Sequence, residues 1–137
     1  MVFENKEELY KLMKMMVEKI TDDPPLYDKL AACNIICQMK ITNMDAAFVT
    51  VKAKNNTLEF EYGESSVKPE ATVSANDELF VKFWQGKVNL MAAMARGKIK
   101  VGGAVASITK LIPRLSGCYP KWVEVLTEAG RADLIAK

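Results

Sequence analysis

Cys33, Cys37 and Cys118 are the only thiols in a chain of 137 residues, and a missing side chain limits what they can do: the sequence contains no histidine. Histidine is the side chain whose ordinary pKa lies near neutrality, so serine–histidine and cysteine–histidine mechanisms are excluded together. Three thiols are an odd set, and no histidine completes a site around Cys33 and Cys37, so neither a disulfide framework nor a Cys/His zinc centre is expected. Cys37 alternates with apolar neighbours and Cys33 lies just before that run, which assigns both to packing. Cys118, near Lys121 in a segment that reads as a loop, is the one thiol to test for reactivity.

Carboxylate-based or lysine-based catalysis remains open on residue types alone. The acids, however, fall mostly on polar faces or at the helix start Asp77-Glu78, where solubility and capping account for them. Gly102-Gly103 lacks the spacing and the lysine–serine ending of a phosphate loop, and Gly97 to Gly103 makes no dinucleotide fingerprint. A turn is the reading for this glycine pair. The expectation is a protein with no catalytic residue, no metal site and no cofactor.

Charge is distributed unevenly. Residues 1–70 carry nine basic and twelve acidic groups, net −3, whereas residues 71–137 carry ten basic and five acidic, net +5. No acid falls between Glu78 and Glu124, a span that contains Lys82, Lys87, Arg96, Lys98, Lys100, Lys110, Arg114 and Lys121. Such a stretch is either a scattered solvated face or a docking surface for anionic headgroups. Nucleic acid is not expected as a partner, because no interleaving of basic and exposed aromatic residues accompanies the charge. Met13, Met15, Met16, Met91 and Met94 read first as core filler, though flexible thioethers also suit the adaptable lining of an alkyl-binding cavity.

The elements that position these residues follow from periodicity. Asn5 and Glu8 form a capping-box pattern, and Leu9, Leu12, Met13, Met16, Val17 and Ile20 recur at helical spacing, predicting a helix from about Lys6 to Ile20. Asp23-Pro24-Pro25 breaks it and starts another over Leu26 to about Ala32. Alternation then predicts strands over Ile35–Ile41, Ala47–Lys52 and Leu58–Tyr62, joined by turns at Thr42–Asp45 and Asn55-Asn56, as an antiparallel meander. A fourth strand is expected at Ala71–Ser74. Asn76 caps a helix with the stripe Leu79, Phe80, Phe83 and Trp84, ended by Gly86; a short helix with Leu90, Met91 and Met94 stops at Gly97. A strand over Lys98–Val101, a helix from Ala104 to Leu115, a loop from Ser116 to Pro120 and a last helix carrying Trp122, Val125, Leu126 and Ala129 complete the chain.

The segment Ala71-Thr-Val-Ser-Ala-Asn-Asp-Glu-Leu-Phe80, followed by Trp84-Gln-Gly-Lys87, Met91-Ala-Ala-Met94 and Gly97-Lys-Ile-Lys-Val-Gly-Gly103, resembles the sterol carrier protein type 2 pattern. With the preceding strands the likeness covers about Ile35 to Leu115. This resemblance implies an α/β (α+β) fold: a five-stranded, largely antiparallel sheet covered by helices and enclosing an apolar tunnel for a sterol, fatty acid, acyl-CoA or other lipid, with no catalytic residue. Apolar faces that should converge on the sheet supply the candidate ligand-binding residues. Phe60 and Tyr62 come from the third strand, and Phe80, Phe83 and Trp84 from the helix after the fourth. Met91, Met94, Val101, Ile108, Leu111 and Ile112 come from the elements that follow. The basic residues from Lys82 to Lys121 become candidates for transient contact with an anionic membrane. The rival reading keeps this scaffold but packs its interior, making an interaction or accessory module.

Size and composition suit one domain over residues 1–137, since half of the residues are hydrophobic and a quarter charged. The apolar runs are far shorter than the ~18 to 20 residues of a spanning helix, and the N-terminus lacks a basic region followed by an apolar run. A soluble, unprocessed protein in a reducing, cytoplasmic setting is the expectation.

Overall fold

The computed structural model describes residues 1–136. Helix α1, Lys6–Thr21, begins where the Asn5 side chain accepts a hydrogen bond from the Glu8 N–H at 2.9 Å, and it turns Leu9, Leu12, Met13, Met16 and Ile20 inward. Helix α2, Pro24–Ala31, starts two residues earlier than predicted, because prolines are tolerated in a first turn, where the N–H has no helical partner.

Five strands follow: β1 Ile35–Ile41, β2 Phe48–Lys54, β3 Thr57–Tyr62, β4 Ala71–Ala75 and β5 Lys100–Gly103. They lie in the order β3-β2-β1-β4-β5, parallel between β1 and β4 and antiparallel elsewhere. The sheet is mixed, open and covered by helices. Asn55 and Asn56 hold φ at +55° and +57° between Lys54 and Thr57, the paired left-handed conformation that two-residue hairpins require.

Helices α3, Asp77–Phe83, and α4, Leu90–Ala95, fill the connection from β4 to β5. After β5 come α5, Val105–Leu111, a 3-10 segment Ile112–Cys118, α6, Tyr119–Glu128, and a last 3-10 turn Ala132–Leu134. The predicted long helix to Leu115 therefore tightens at Ile112, one residue before Pro113. The predicted Ser116–Pro120 loop is helical and runs straight into α6.

Alternation sends Cys37, Met39, Ile41, Val49, Ala53 and Leu58 to one face of the sheet, where they join the inward side chains of the helices in one core cluster extending from Phe3 to Leu126. Phe80 stands edge-on to both Trp84 and Trp122, at centroid distances of 6.3 and 6.4 Å, and links α3 to α6. The opposite face carries Gln38, Lys52, Glu59, Glu61, Thr72 and Ser74. There Lys52 pairs with Glu61 at 3.3 Å and Glu59 at 3.6 Å across the strands.

Candidate functional site

An apolar cavity of about 50 Å³ lies between the inner face of the sheet and the helices. Its sheet wall includes Cys37, Met39 and Ile41 of β1, Val51 and Ala53 of β2, Leu58 and Phe60 of β3, and Val73 and Ala75 of β4. Its helical wall includes Leu30 of α2, the α3 stripe ending in Trp84, and Ile108, Leu111, Ile112, Leu115 and Cys118 on α5 and the 3-10 segment. Among the described residues Lys40 is the one charged residue bordering it; it is exposed, between the inward-facing Met39 and Ile41.

The α3 wall is set from both ends. Asn76 accepts a hydrogen bond from the Leu79 N–H at 2.8 Å, starting the helix, and the spacing of Leu79, Phe80, Phe83 and Trp84 places all four on the cavity side. After the helix, buried Gln85 donates from Nε2 to the carbonyls of Val81 at 3.1 Å and Leu134 at 3.0 Å, while its Oε1 accepts from the Ala136 N–H at 2.7 Å. The C-terminal segment is thereby tied to the turn that follows Trp84. Trp84 itself is 2% exposed, and its indole N–H has no hydrogen-bond partner among the described residues.

The candidate residues divide into two groups. Phe60, Phe80, Phe83, Trp84, Ile108, Leu111 and Ile112 border the cavity. Four others lie elsewhere. Tyr62, at the end of β3, packs against Tyr10 with ring centroids 5.5 Å apart and the planes tilted by 47°, and the Lys14 ammonium lies 5.2 Å from its ring centre. Met91 is 69% exposed on α4, since the six-residue helix turns only Ala93 fully inward. Met94 and Val101 do not border the cavity themselves but pack on a small cluster of Ala75, Ala93 and Ile99, of which Ala75 and Ile99 do. Leu30, Met39, Leu58, Leu79 and Leu115 also form part of the wall, although the sequence reading did not single them out for it. The strand alternation marks the inward face that includes Met39 and Leu58, but not which part of that face remains unfilled. The structure shows this small cavity and not a formed tunnel.

The thiols change roles. Cys118 is buried at the end of the 3-10 segment, and burial pushes its thiol up to about 12; the nearby Lys121 pairs with Asp23 at 3.1 Å. Burial likewise pushes Cys37 up to about 12. Cys33 is half-buried, 3.9 Å from the Arg114 guanidinium. What the cavity offers is exclusion of water from apolar surface.

The basic candidates also divide. Lys82 pairs with Glu78 at 3.0 Å, Lys121 with Asp23, and Arg114 donates to the Lys29 carbonyl at 3.3 Å. Lys87, Arg96, Lys98, Lys100 and Lys110 are exposed and form no ion pair among the described residues. Lys87, Arg96 and Lys98 flank α4 on either side in sequence, with exposed Met91 between them.

Comparison with known proteins agrees with this architecture. The model of the SCP-2 sterol transfer family matches residues 14–115. Peroxisomal multifunctional enzyme A of Dictyostelium discoideum is 33% identical over 92 residues, covering 67% of this chain but 20% of that protein, so the chain spans about a fifth of that curated relative. Among solved structures, apo sterol carrier protein 2 from Yarrowia lipolytica superimposes with a TM-score of 0.61 at 16% identity, over 81% of this chain and 89% of that one. The solution structure of sterol carrier protein domain 2 of Helicoverpa armigera gives 0.59 at 24% identity, over 79% and 87%. Both share the fold. No described helix is long and apolar enough to cross a membrane.

Proposed function

The chain belongs to the SCP-2 sterol transfer family, and we propose that it acts as a non-catalytic carrier, binding the alkyl portion of a lipid between its sheet and helix α3 and exchanging it with membranes. The observation that carries this reading is the cavity wall itself: apolar side chains from four strands and four helical segments converge on space they do not fill. Burying each methylene contributes about 0.8 kcal/mol, so a long alkyl chain gains on the order of 10 kcal/mol relative to water and nearly as much in a bilayer. Transfer between protein and membrane is then close to balanced, and a carrier needs only a low barrier at its mouth. Sterols, fatty acids and acyl-CoA are the ligand classes this allows.

A cavity of about 50 Å³ holds only a few waters' worth of space, so uptake requires α3 and α5 to move off the sheet. The same volume favours a second reading, a packed interaction module on the same scaffold. Lys87, Arg96, Lys98, Lys100 and Lys110 are proposed as the membrane-facing charge. All of residues 1–137 are proposed to act as one domain, since the main core cluster draws on both ends of the chain. The free thiols Cys33, Cys37 and Cys118 suit a reducing compartment such as the cytoplasm.

Native mass spectrometry of freshly purified protein discriminates the readings. A carrier retains a co-purifying lipid or takes one up from vesicles. Protein that is lipid-free and stays so after incubation with both neutral and anionic vesicles is a packed module.

A further inference from the structure

Resting on the carrier reading, we infer that the two ends of the chain form a strap across α3 that opposes loading, so that filling the cavity and releasing the strap are one coupled step. The N-terminal half is fastened at the start of α3, where the Asp77 carboxylate accepts from the Val2 and Phe3 N–H groups at 2.6 and 3.1 Å. The C-terminal half is fastened just past its end, where Gln85 accepts from the Ala136 N–H at 2.7 Å and donates to the Leu134 carbonyl at 3.0 Å. Arg131 buckles the halves together, since its guanidinium donates to the Val2 carbonyl at 2.8 Å and also to the Glu8 carboxylate of α1. Its own backbone N–H is held by the Leu126 carbonyl of α6 at 2.8 Å. The buckle is therefore anchored to α1 and α6 and does not travel with α3. All the terminal residues of the strap lie outside the family-matched segment 14–115.

The sign of the coupling follows from the volume. About 50 Å³ does not admit a long alkyl chain, and the two helices that must move to make room are held unequally. Among the described residues no side chain of α5 bonds to another element; the Thr109 hydroxyl donates within the helix, to the Val105 carbonyl. Helix α3, by contrast, is fastened at both ends. Displacing it from the sheet stretches bonds to a buckle that stays behind, so the strapped state is the one that binds lipid poorly. A contact made only in the poorly binding state lowers the apparent affinity, and by linkage the lipid weakens that contact in return. The strap is thus an autoinhibitory contact, and the loaded protein carries its two ends loosened.

Binding of the apolar dye Nile red to the full chain, set beside urea midpoints of the empty protein, tests this in the parent and in Arg131→Ala and Lys19→Ala variants. Arg131→Ala should lower the midpoint and yet tighten the dye about three- to tenfold, the worth of one net hydrogen bond. Lys19→Ala removes the ion pairs from α1 to Glu124 and Glu128 of α6 and no part of the strap, so it should lower the midpoint without tightening the dye. An arginine with a merely structural role would leave binding unchanged or weaken it on removal. In the parent, amide hydrogen exchange at Phe3 and Ala136 should speed up when the dye binds, a readout that needs no variant and decides alone if Arg131→Ala does not fold. Dye bound no more tightly by Arg131→Ala than by the parent overturns the inference, as does exchange at Phe3 and Ala136 that the dye slows or leaves unchanged. In either case the bound dye leaves the carrier reading standing. If neither the parent nor a variant binds the dye, the carrier reading falls and takes this inference with it.

Discussion

Asp77 opens α3 as the first-turn acid that the dipole of a helix favours, yet it is 1% exposed. Its Oδ2 accepts from the N–H groups of Val2 at 2.6 Å and Phe3 at 3.1 Å, its Oδ1 accepts from Asn43 Nδ2 at 2.8 Å, and its own N–H donates to Asn43 Oδ1 at 2.9 Å. One carboxylate thus fastens the N-terminal segment and the β1–β2 turn to the helix that covers the cavity. Asp77→Ala should lower stability by on the order of 2 kcal/mol, because the buried Phe3 N–H and its neighbours lose a charged acceptor. Urea denaturation measures this, and a midpoint unchanged from the parent would show that the network contributes nothing. The thiols give a second test at the same scale. With Cys37 and Cys118 buried and pushed up to about 12, a disulfide reagent at pH 8 should modify Cys33 alone in the native protein and all three thiols in denaturant. Modification of Cys118 as fast as Cys33 would contradict its burial. Neither role was visible in the sequence, where Asp77 looks like a helix-start acid and Cys118 like a loop thiol beside a lysine. Both assignments turn on contacts across dozens of residues.

At the scale of elements, local periodicity carried the reading wherever a segment's partners are implied by its own pattern. The meander β1–β2–β3, the α1 stripe and the start of α3 at Asn76 all follow from alternation, spacing or capping. Failures cluster where backbone contacts that the alternation does not encode decide. The strand expected at Lys98–Val101 begins at Lys100, because the N–H groups of Gly97, Lys98 and Ile99 are already bonded to the carbonyls of Met94 and Ala93 at the end of α4. Gly102-Gly103, read as a turn, lies within β5 opposite Thr72 and Ala71. A Cβ at Gly103 would sit 2.3 Å from the Glu70 carbonyl oxygen, and its φ is +74°, so the glycine is required by a strand partner thirty-odd residues away. Helix α4 shows what a short element does with charge. It leaves Met91 exposed between Lys87 on one side and Arg96 and Lys98 on the other, an arrangement suited to an anionic surface. Co-sedimentation with anionic vesicles should exceed that with neutral ones, decline as salt rises, and vanish in a Lys87→Glu, Arg96→Glu, Lys98→Glu triple variant. Equal binding to both vesicle types at low salt would remove α4 as a docking element.

For the molecule as a whole, the sequence indicates that apolar faces converge on one side of a sheet, but not how closely they approach, and a cavity of about 50 Å³ where a tunnel was expected reflects that difference. Composition does, however, set one global property, the dependence of stability on pH. With no histidine, no side chain has an ordinary pKa between about 5 and 8, so stability should be flat across that interval. On the acid side, Asp23 is held below its ordinary 3.8 by the Lys121 ammonium, Asp133 by Arg131, Glu70 below its ordinary 4.5 by Lys54, and Glu61 by the Ser66 N–H and hydroxyl. Each native carboxylate holds its proton more weakly than in the unfolded chain, so its contribution is present above pH 3.8 or 4.5 and is lost as pH falls through the native value. These groups are solvent-exposed, so the acid limb should be shallow and should shrink further in salt. On the alkaline side the sign reverses. Burial raises Cys37 and Cys118 from 9.0 to about 12 and Tyr62 from 10.0 to about 12, so the native state resists ionisation that the unfolded chain undergoes. That stability is complete below pH 9 and is lost as pH rises from 9 toward 12. Two of these groups are thiols that water cannot reach to solvate a thiolate, so the alkaline limb should be the steeper one and should flatten in a Cys37→Ala, Cys118→Ala double variant. Urea midpoints measured from pH 3 to pH 11 test the whole profile. A decline between pH 8 and pH 5, or an alkaline limb that survives removal of both thiols unchanged, would show that other groups govern it.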